Sequence, residues 1–149
     1  MEKTNQNQYE IRIVNRNPNF KSVILNNALD VYNYAKQFYK DDIELYESAF
    51  IIMLNNNNKI IGWAKISQGG INMCPVDIKI VVHYAINILS SGIIFVHNHP
   101  SGNISASRED RKLSLRLQKA LDIFEIRLID CVIITNEKFL SFRSEGIIE

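Results

Sequence analysis

The sequence predicts an α/β domain in which a sheet lies between helices. Two observations carry this reading. Short apolar runs alternate along the chain with segments whose apolar residues recur at spacings of three and four, the pattern of strands alternating with amphipathic helices. The 149 residues are also 46% hydrophobic and 22% charged, a globular balance at the length of one domain. No segment recurs at a fixed period, which excludes repeat architectures.

The first eight residues are polar and read as loosely held. Tyr9, Ile11 and Ile13 alternate with Glu10 and Arg12 and predict a strand, which Asn17-Pro18 breaks. From Ala28 the pattern is helical: Val31, Tyr32, Ala35, Phe38 and Tyr39 join Ala28 on one face. Ser48 to Leu54 is apolar and short enough for a buried strand, and Lys59 to Ser67 is its return. Between them Asn55 to Asn58 read as a hairpin turn, because Asn tolerates positive φ.

Gln68-Gly69-Gly70 is a flexible connection. A second helix starts near Pro75 with Ile78, Val81, Val82, Ala85, Ile88 and Leu89 on one face, and Gly92 stops it. Ile93 to Val96 is a short central strand. The loop HNHPSGNISAS leads to a third helix from about Arg108, with Leu113, Leu117, Ala120, Leu121 and Phe124 as its apolar face. Leu128 to Thr135 and Phe139 to Phe142 are the last strands. Residues 1–24 form an N-terminal segment, partly ordered, and 25–149 a single domain with no internal boundary.

Composition narrows the function. Seventeen basic against sixteen acidic residues leave a net charge of +1, without the basic excess of a dedicated nucleic-acid binder. The longest apolar run, Ala49 to Leu54, is far too short to span a membrane. The N-terminus lacks the apolar core of a signal peptide, and two cysteines, Cys74 and Cys131, cannot form a disulfide framework. A cytoplasmic protein with reduced thiols is expected.

The chemistry concentrates between Val96 and Asp110. His97 and His99, one residue apart after a buried strand, point to the same side if the extended geometry persists, so both imidazoles can reach one ion. Asp110 arrives on the first turn of the next helix. Two histidines, a carboxylate and an open fourth position are what a catalytic zinc site needs. On composition alone Ser107-x-x-Asp110 reads first as a plain capping box, with Ser at the N-cap and an acid at N3. The tripeptide His97-Asn98-His99 does not make an HNH nuclease, whose letters come from separate elements. A zinc deaminase would want His-x-Glu and a PCxxC pair, which Cys74-Pro75 does not supply.

His97-x-His99, seven residues, Ser107, two residues and Asp110 match the metal-binding motif of the JAMM (MPN+) metallopeptidases. The fuller string HNHPSGN…SxxD resembles the bacterial RadC family, historically called DNA repair protein RadC. The likeness extends to YESAFIIMLN at 46–55, ISQGG at 66–70, VDIKIVVHYAI at 76–86, LIDCVIIT at 128–135 and FLSFRSEGII at 139–148, and so covers about 25 to 148. It implies a JAB/MPN-type, cytidine-deaminase-like fold with a mixed β-sheet between helices. It also implies Zn²⁺ held by His97, His99 and Asp110, with Glu47 as the acid before the core strand and Ser107 as the serine beside the site. Glu44 is a nearby competitor, but Glu47 keeps the motif's spacing to Asn55.

This chain departs from the pattern where the family usually has LDH and Ile129-Asp130-Cys131 stands instead. Longer members carry an N-terminal helix-hairpin-helix module, for which the 25 or so residues here leave no room, so a DNA role inferred from it does not transfer. The resemblance implies zinc-dependent hydrolysis of a peptide or isopeptide bond in an unidentified protein substrate. Glu47 would serve as general base, and Ser107 as a donor to the developing oxyanion or as a helix cap. The alternative is a DNA-associated accessory protein without peptidase activity. Against it, residues 108–127 set six basic side chains against Glu109, Asp110, Asp122 and Glu125, a mixed solvated face more than a phosphate track.

Overall fold

The computed structural model describes residues 23–70 and 75–149. The strand expected at Tyr9–Ile13, the Asn17-Pro18 break and Cys74 lie outside the described residues. The element order is α1 (Ala28–Tyr39), β1 (Ser48–Leu54), β2 (Ile60–Gln68), α2 (Ile78–Asn87), β3 (Gly92–Asn98), α3 (Arg108–Asp122), β4 (Arg127–Ile134) and β5 (Phe139–Ser141). The strands form one mixed sheet in the order β2-β1-β3-β4-β5. The β3–β4 pair is parallel and the other pairs are antiparallel.

Every residue of β1 and β3 is buried, because helices cover both faces of the sheet centre. This explains why these strands read as continuous apolar runs without alternation. One face packs Val31, Ala35 and Tyr39 of α1 against Phe50, Ile52, Ile94 and Val96. The other packs Val81 and Ala85 of α2 and Leu117 and Leu121 of α3 against Ile51, Phe95 and Ile133. Truncating a side chain such as Ile51, which has no exposed surface, to Ala would cost about 2–5 kcal/mol.

The helix starts follow capping chemistry. Asn27 Oδ1 accepts the Asp30 N–H of α1 at 2.9 Å, and Asp77 Oδ1 accepts the Lys79 N–H of α2 at 2.9 Å. The β1–β2 hairpin closes on the asparagine run: Asn55 Oδ1 accepts from Asn57 N–H at 2.9 Å and Lys59 N–H at 3.1 Å, and Asn58 takes φ 54°. Just before α1, Ile24 pairs antiparallel with Lys59, tying the chain's entry to the start of β2.

Three local expectations change. α2 ends at Asn87, and Leu89 turns left-handed (φ 52°) and is 82% exposed, so it leaves the apolar face. Gly92 does not stop the helix: it opens β3, where an added Cβ would lie 2.4 Å from Ile129 Cδ1. A side chain there would have to displace the end of Ile129 on the neighbouring strand. Phe124 lies beyond the end of α3 and is half exposed. Among the described residues no helix is long and apolar enough to cross a membrane.

Candidate metal centre

The site forms at the carboxyl end of β3, where a parallel strand hands over to the N-terminus of α3. Open α/β sheets place ligands at such ends. His97 is the penultimate residue of β3, opposite Ala49 of β1 and Ile133 of β4, and is buried. His99 lies one residue past the strand, yet its N–H donates to Ile134 O at 3.1 Å. That bond carries the extended geometry beyond Asn98, so both imidazoles fall on one side. The chain then turns: Gly102, at φ 79°, donates its N–H to His99 O at 3.0 Å.

Three side chains converge. His97 Nε2 and His99 Nε2 are 3.1 Å apart. Asp110 Oδ1 lies 3.1 Å from His97 Nε2, and its Oδ2 lies 3.6 Å from His99 Nε2. His99 Nδ1 faces Asn103 O at 2.6 Å and donates to that carbonyl. In a neutral ring this leaves Nε2 as a bare lone pair aimed into the cluster. Among the described residues His97 Nδ1 is buried without a partner, so the two Nε2 atoms and the Asp110 carboxylate form a donor set that either a shared proton or a bound cation can satisfy. A tetrahedral zinc with bonds of about 2.0–2.1 Å sets its donors roughly 3.3 Å apart, and these separations straddle that value. The carbonyl behind His99 is the kind of outer partner that fixes a ligand tautomer.

Glu47, immediately before β1, joins the cluster, with its ligand atom and those of His97 and His99 all within 4.8 Å of one another. Glu47, His97 and Asp110 line a cavity of about 20 Å³, enough for a single water. Glu44, the competitor, sits elsewhere. Its carboxylate faces Asn136 at 3.5 Å in an outer cleft of about 270 Å³ that His99 also lines.

Ser107 caps α3. Its Oγ accepts the Asp110 N–H at 3.1 Å, while Asp110 Oδ2 accepts the Ser107 N–H at 2.8 Å and its hydroxyl at 2.6 Å. Capping box and ion site are thus one arrangement, with the same carboxylate tied to the helix start and facing the histidines. The single hydroxyl proton of Ser107 is engaged on Asp110.

The electrostatics follow. Burial pushes the Asp110 carboxyl up, but hydrogen bonds from His97, His99 and Ser107 and the charge of His97 overcome it and hold the group far below the usual carboxylate range. Burial draws His99 down, but the Asp110 bond, the Asn103 carbonyl and the charges of Asp110 and Glu47 raise it overall. Burial raises Glu47, opposed by the two imidazoles and reinforced by Asp110. Cys131, where the family usually has histidine, is free and packed in the core opposite Phe95, its thiol pushed up by burial.

Two contributors escaped the sequence reading. The Asn103 carbonyl is a backbone group, which no side-chain pattern marks. Asn98 is fully buried with its amide bonded to Ser48, Ile43 and Tyr46. No local signal marks it, because in the sequence Asn98 falls in the loop after the Ile93–Val96 run.

A five-stranded mixed sheet between helices, with histidines leaving its central strand toward a capped helix, defines a JAB/MPN-type domain. The RadC-like JAB domain profile matches residues 25–147, and the chain belongs to that family. Similar proteins include a UPF0758 protein of Flavobacterium johnsoniae, 36% identical over 102 residues (68% of this chain and 44% of that one). Another, from Porphyromonas gingivalis, is 37% identical over 103 residues (68% and 45%). UPF0758 protein CT0611 of Chlorobaculum tepidum is 32% identical over 133 residues (89% and 58%). The chain spans about half the length of these curated relatives.

Proposed function

We propose that this protein is a zinc-dependent metallopeptidase of the JAMM type, hydrolysing a peptide or isopeptide bond in a protein substrate. One observation carries the reading: His97, His99 and Asp110 converge at 3.1–3.6 Å beside a half-buried Glu47. Membership of a JAB family, some of whose members are zinc metallopeptidases, supports it. A reducing cytoplasm is the proposed compartment, in keeping with the free thiol of Cys131.

His97, His99 and Asp110 would hold the zinc, which supplies Lewis acidity toward the scissile carbonyl and toward water. Asp110 is assigned as the ligand carboxylate because it stands in ion-pairing range of both imidazoles, at 3.1 and 3.6 Å; Glu47, whose ligand atom lies within 4.8 Å of theirs, is assigned to proton transfer. Glu47 takes a proton from the attacking water at its carboxylate and returns it to the departing amine. Burial raises the Glu47 carboxyl above its ordinary range, which makes it a better proton acceptor than an exposed glutamate. Ser107 keeps Asp110 oriented through its hydroxyl. The sheet end and α3 shield His97, and the small cavity that Glu47, His97 and Asp110 line has room for a water beside them.

The test is metal analysis joined to peptide-library cleavage. Protein purified without a metal-affinity tag is expected to carry about one zinc per chain, and the His97→Ala/His99→Ala variant to carry none. Cleavage is expected to stop with chelator. Glu47→Gln should keep zinc and fold but lose roughly 10²–10⁴-fold in rate, whereas Asp110→Asn should lose metal affinity. Equal zinc in wild type and the double variant would overturn the reading.

A further inference from the structure

Asn98 separates the two histidines in sequence and faces away from them in the strand. Its amide is fully used: Oδ1 accepts the Ser48 N–H at 2.7 Å, and Nδ2 donates to Ile43 O at 2.7 Å and to Tyr46 O at 3.0 Å. All three partners lie in residues 43–48, the segment that leads into β1 and carries Glu47. The β1–β3 ladder pairs Ala49 with His97, so the next rung sets Ser48 against Asn98. The side chain therefore takes over where backbone pairing gives out.

The Glu47 backbone is held on its other side as well. Gly69 donates its N–H to Glu47 O at 2.9 Å, and Glu47 donates its own to Gly70 O at 3.3 Å. Tyr39 Oη donates to Ser48 O at 3.0 Å. Among the described residues the Glu47 carboxylate itself accepts no hydrogen bond, so its place beside His97 and Asp110 depends on how its backbone is held.

We propose that Asn98 is the positioning residue for Glu47: by clamping residues 43–48 to the end of β3, it ties that carboxylate to the strand that carries both histidines. The proposal rests on Glu47 acting at the metal centre. It also explains the residue type. The position demands one acceptor and two donors at short reach, which asparagine supplies. An ionised aspartate offers no donor and would face two carbonyl oxygens. Glutamine is a methylene too long, and alanine leaves all three partners unpaired. Displacing a proton-transfer group by about 1 Å can cost on the order of 10²-fold in rate.

The experiment compares wild type with Asn98→Asp, Asn98→Ala, Glu47→Gln and Asn98→Ala/Glu47→Gln. It measures zinc per chain, amide hydrogen exchange, and kcat and KM on any peptide that wild type cleaves. Both Asn98 variants are expected to keep zinc and to exchange the 43–48 amides at least about tenfold faster, with α3 unchanged. Their kcat should fall about tenfold or more at constant KM. On the Glu47→Gln background that loss should vanish, because the group being positioned is already disabled.

Unchanged exchange at 43–48, or a loss that stays fully additive with Glu47→Gln, overturns the proposal. If neither Asn98 variant folds, the wild-type Ser48 amide decides: slow exchange supports the clamp, and exchange as fast as the Asn55–Asn58 turn refutes it. A wild type without zinc would instead overturn the proposed function, while the exchange measurement would still decide whether Asn98 holds the segment.

Discussion

Ser107→Ala tests whether the helix cap and the ion site are one structure. The serine accepts the Asp110 N–H at 3.1 Å and donates its hydroxyl to Asp110 Oδ2 at 2.6 Å. Losing an N-cap serine costs about 1 kcal/mol, with a range of roughly 0.5–2. Breaking the bond to a charged oxygen moves the expected value toward the upper end. For a chain of this size 1 kcal/mol corresponds to about 2–4 °C, so the variant should melt about 4–8 °C below wild type. The Ser107 N–H still reaches Asp110 Oδ2 at 2.8 Å, so the carboxylate is loosened but not released. Zinc affinity should then fall by about 10–100-fold, the usual effect of removing a group that orients a ligand. Thermal unfolding of metal-free protein gives the first number, and zinc titration against a competing chelator the second. A variant that melts lower but binds zinc as wild type does would refute the coupling and leave Ser107 a cap only.

Two further outcomes are expected. In metal-free protein His99 has a folded pKa raised above its ordinary 6.5, so its contribution to stability is fully present below that value and is lost as pH rises through the folded one. The melting-temperature gap between chelator-treated wild type and His99→Gln should therefore shrink from pH 5.5 to 8, and a gap that widens refutes the pairing with Asp110. Given the net charge of +1, DNA binding should be weak and steeply salt-dependent. Nanomolar affinity for a defined DNA at physiological salt, measured by fluorescence anisotropy, would promote the accessory-protein reading.

Local periodicity was enough to locate nearly every element, since strands buried on both faces and amphipathic helices leave distinct patterns. It failed at ends. The central strand reads as Ile93–Val96 but runs Gly92–Asn98, because a histidine and an asparagine look like loop until neighbouring strands pair with them. Gly92 read as a helix stop for the same reason: nothing local announces the Ile129 side chain packed against it.

The candidate site divides along the same line. The identities and spacing of His97, His99, Ser107 and Asp110 are short-range information, and they sufficed to name the residues and the family they resemble. What only the tertiary structure decided is how they are held. His99 stays in register through Ile134 and keeps its tautomer through Asn103. One carboxylate both caps α3 and faces the imidazoles. Glu47 reaches the cluster from a segment fifty residues upstream, clamped by Asn98. Hydrogen bonds between distant segments leave no periodic trace in a chain, because their partners become neighbours only after the sheet has assembled.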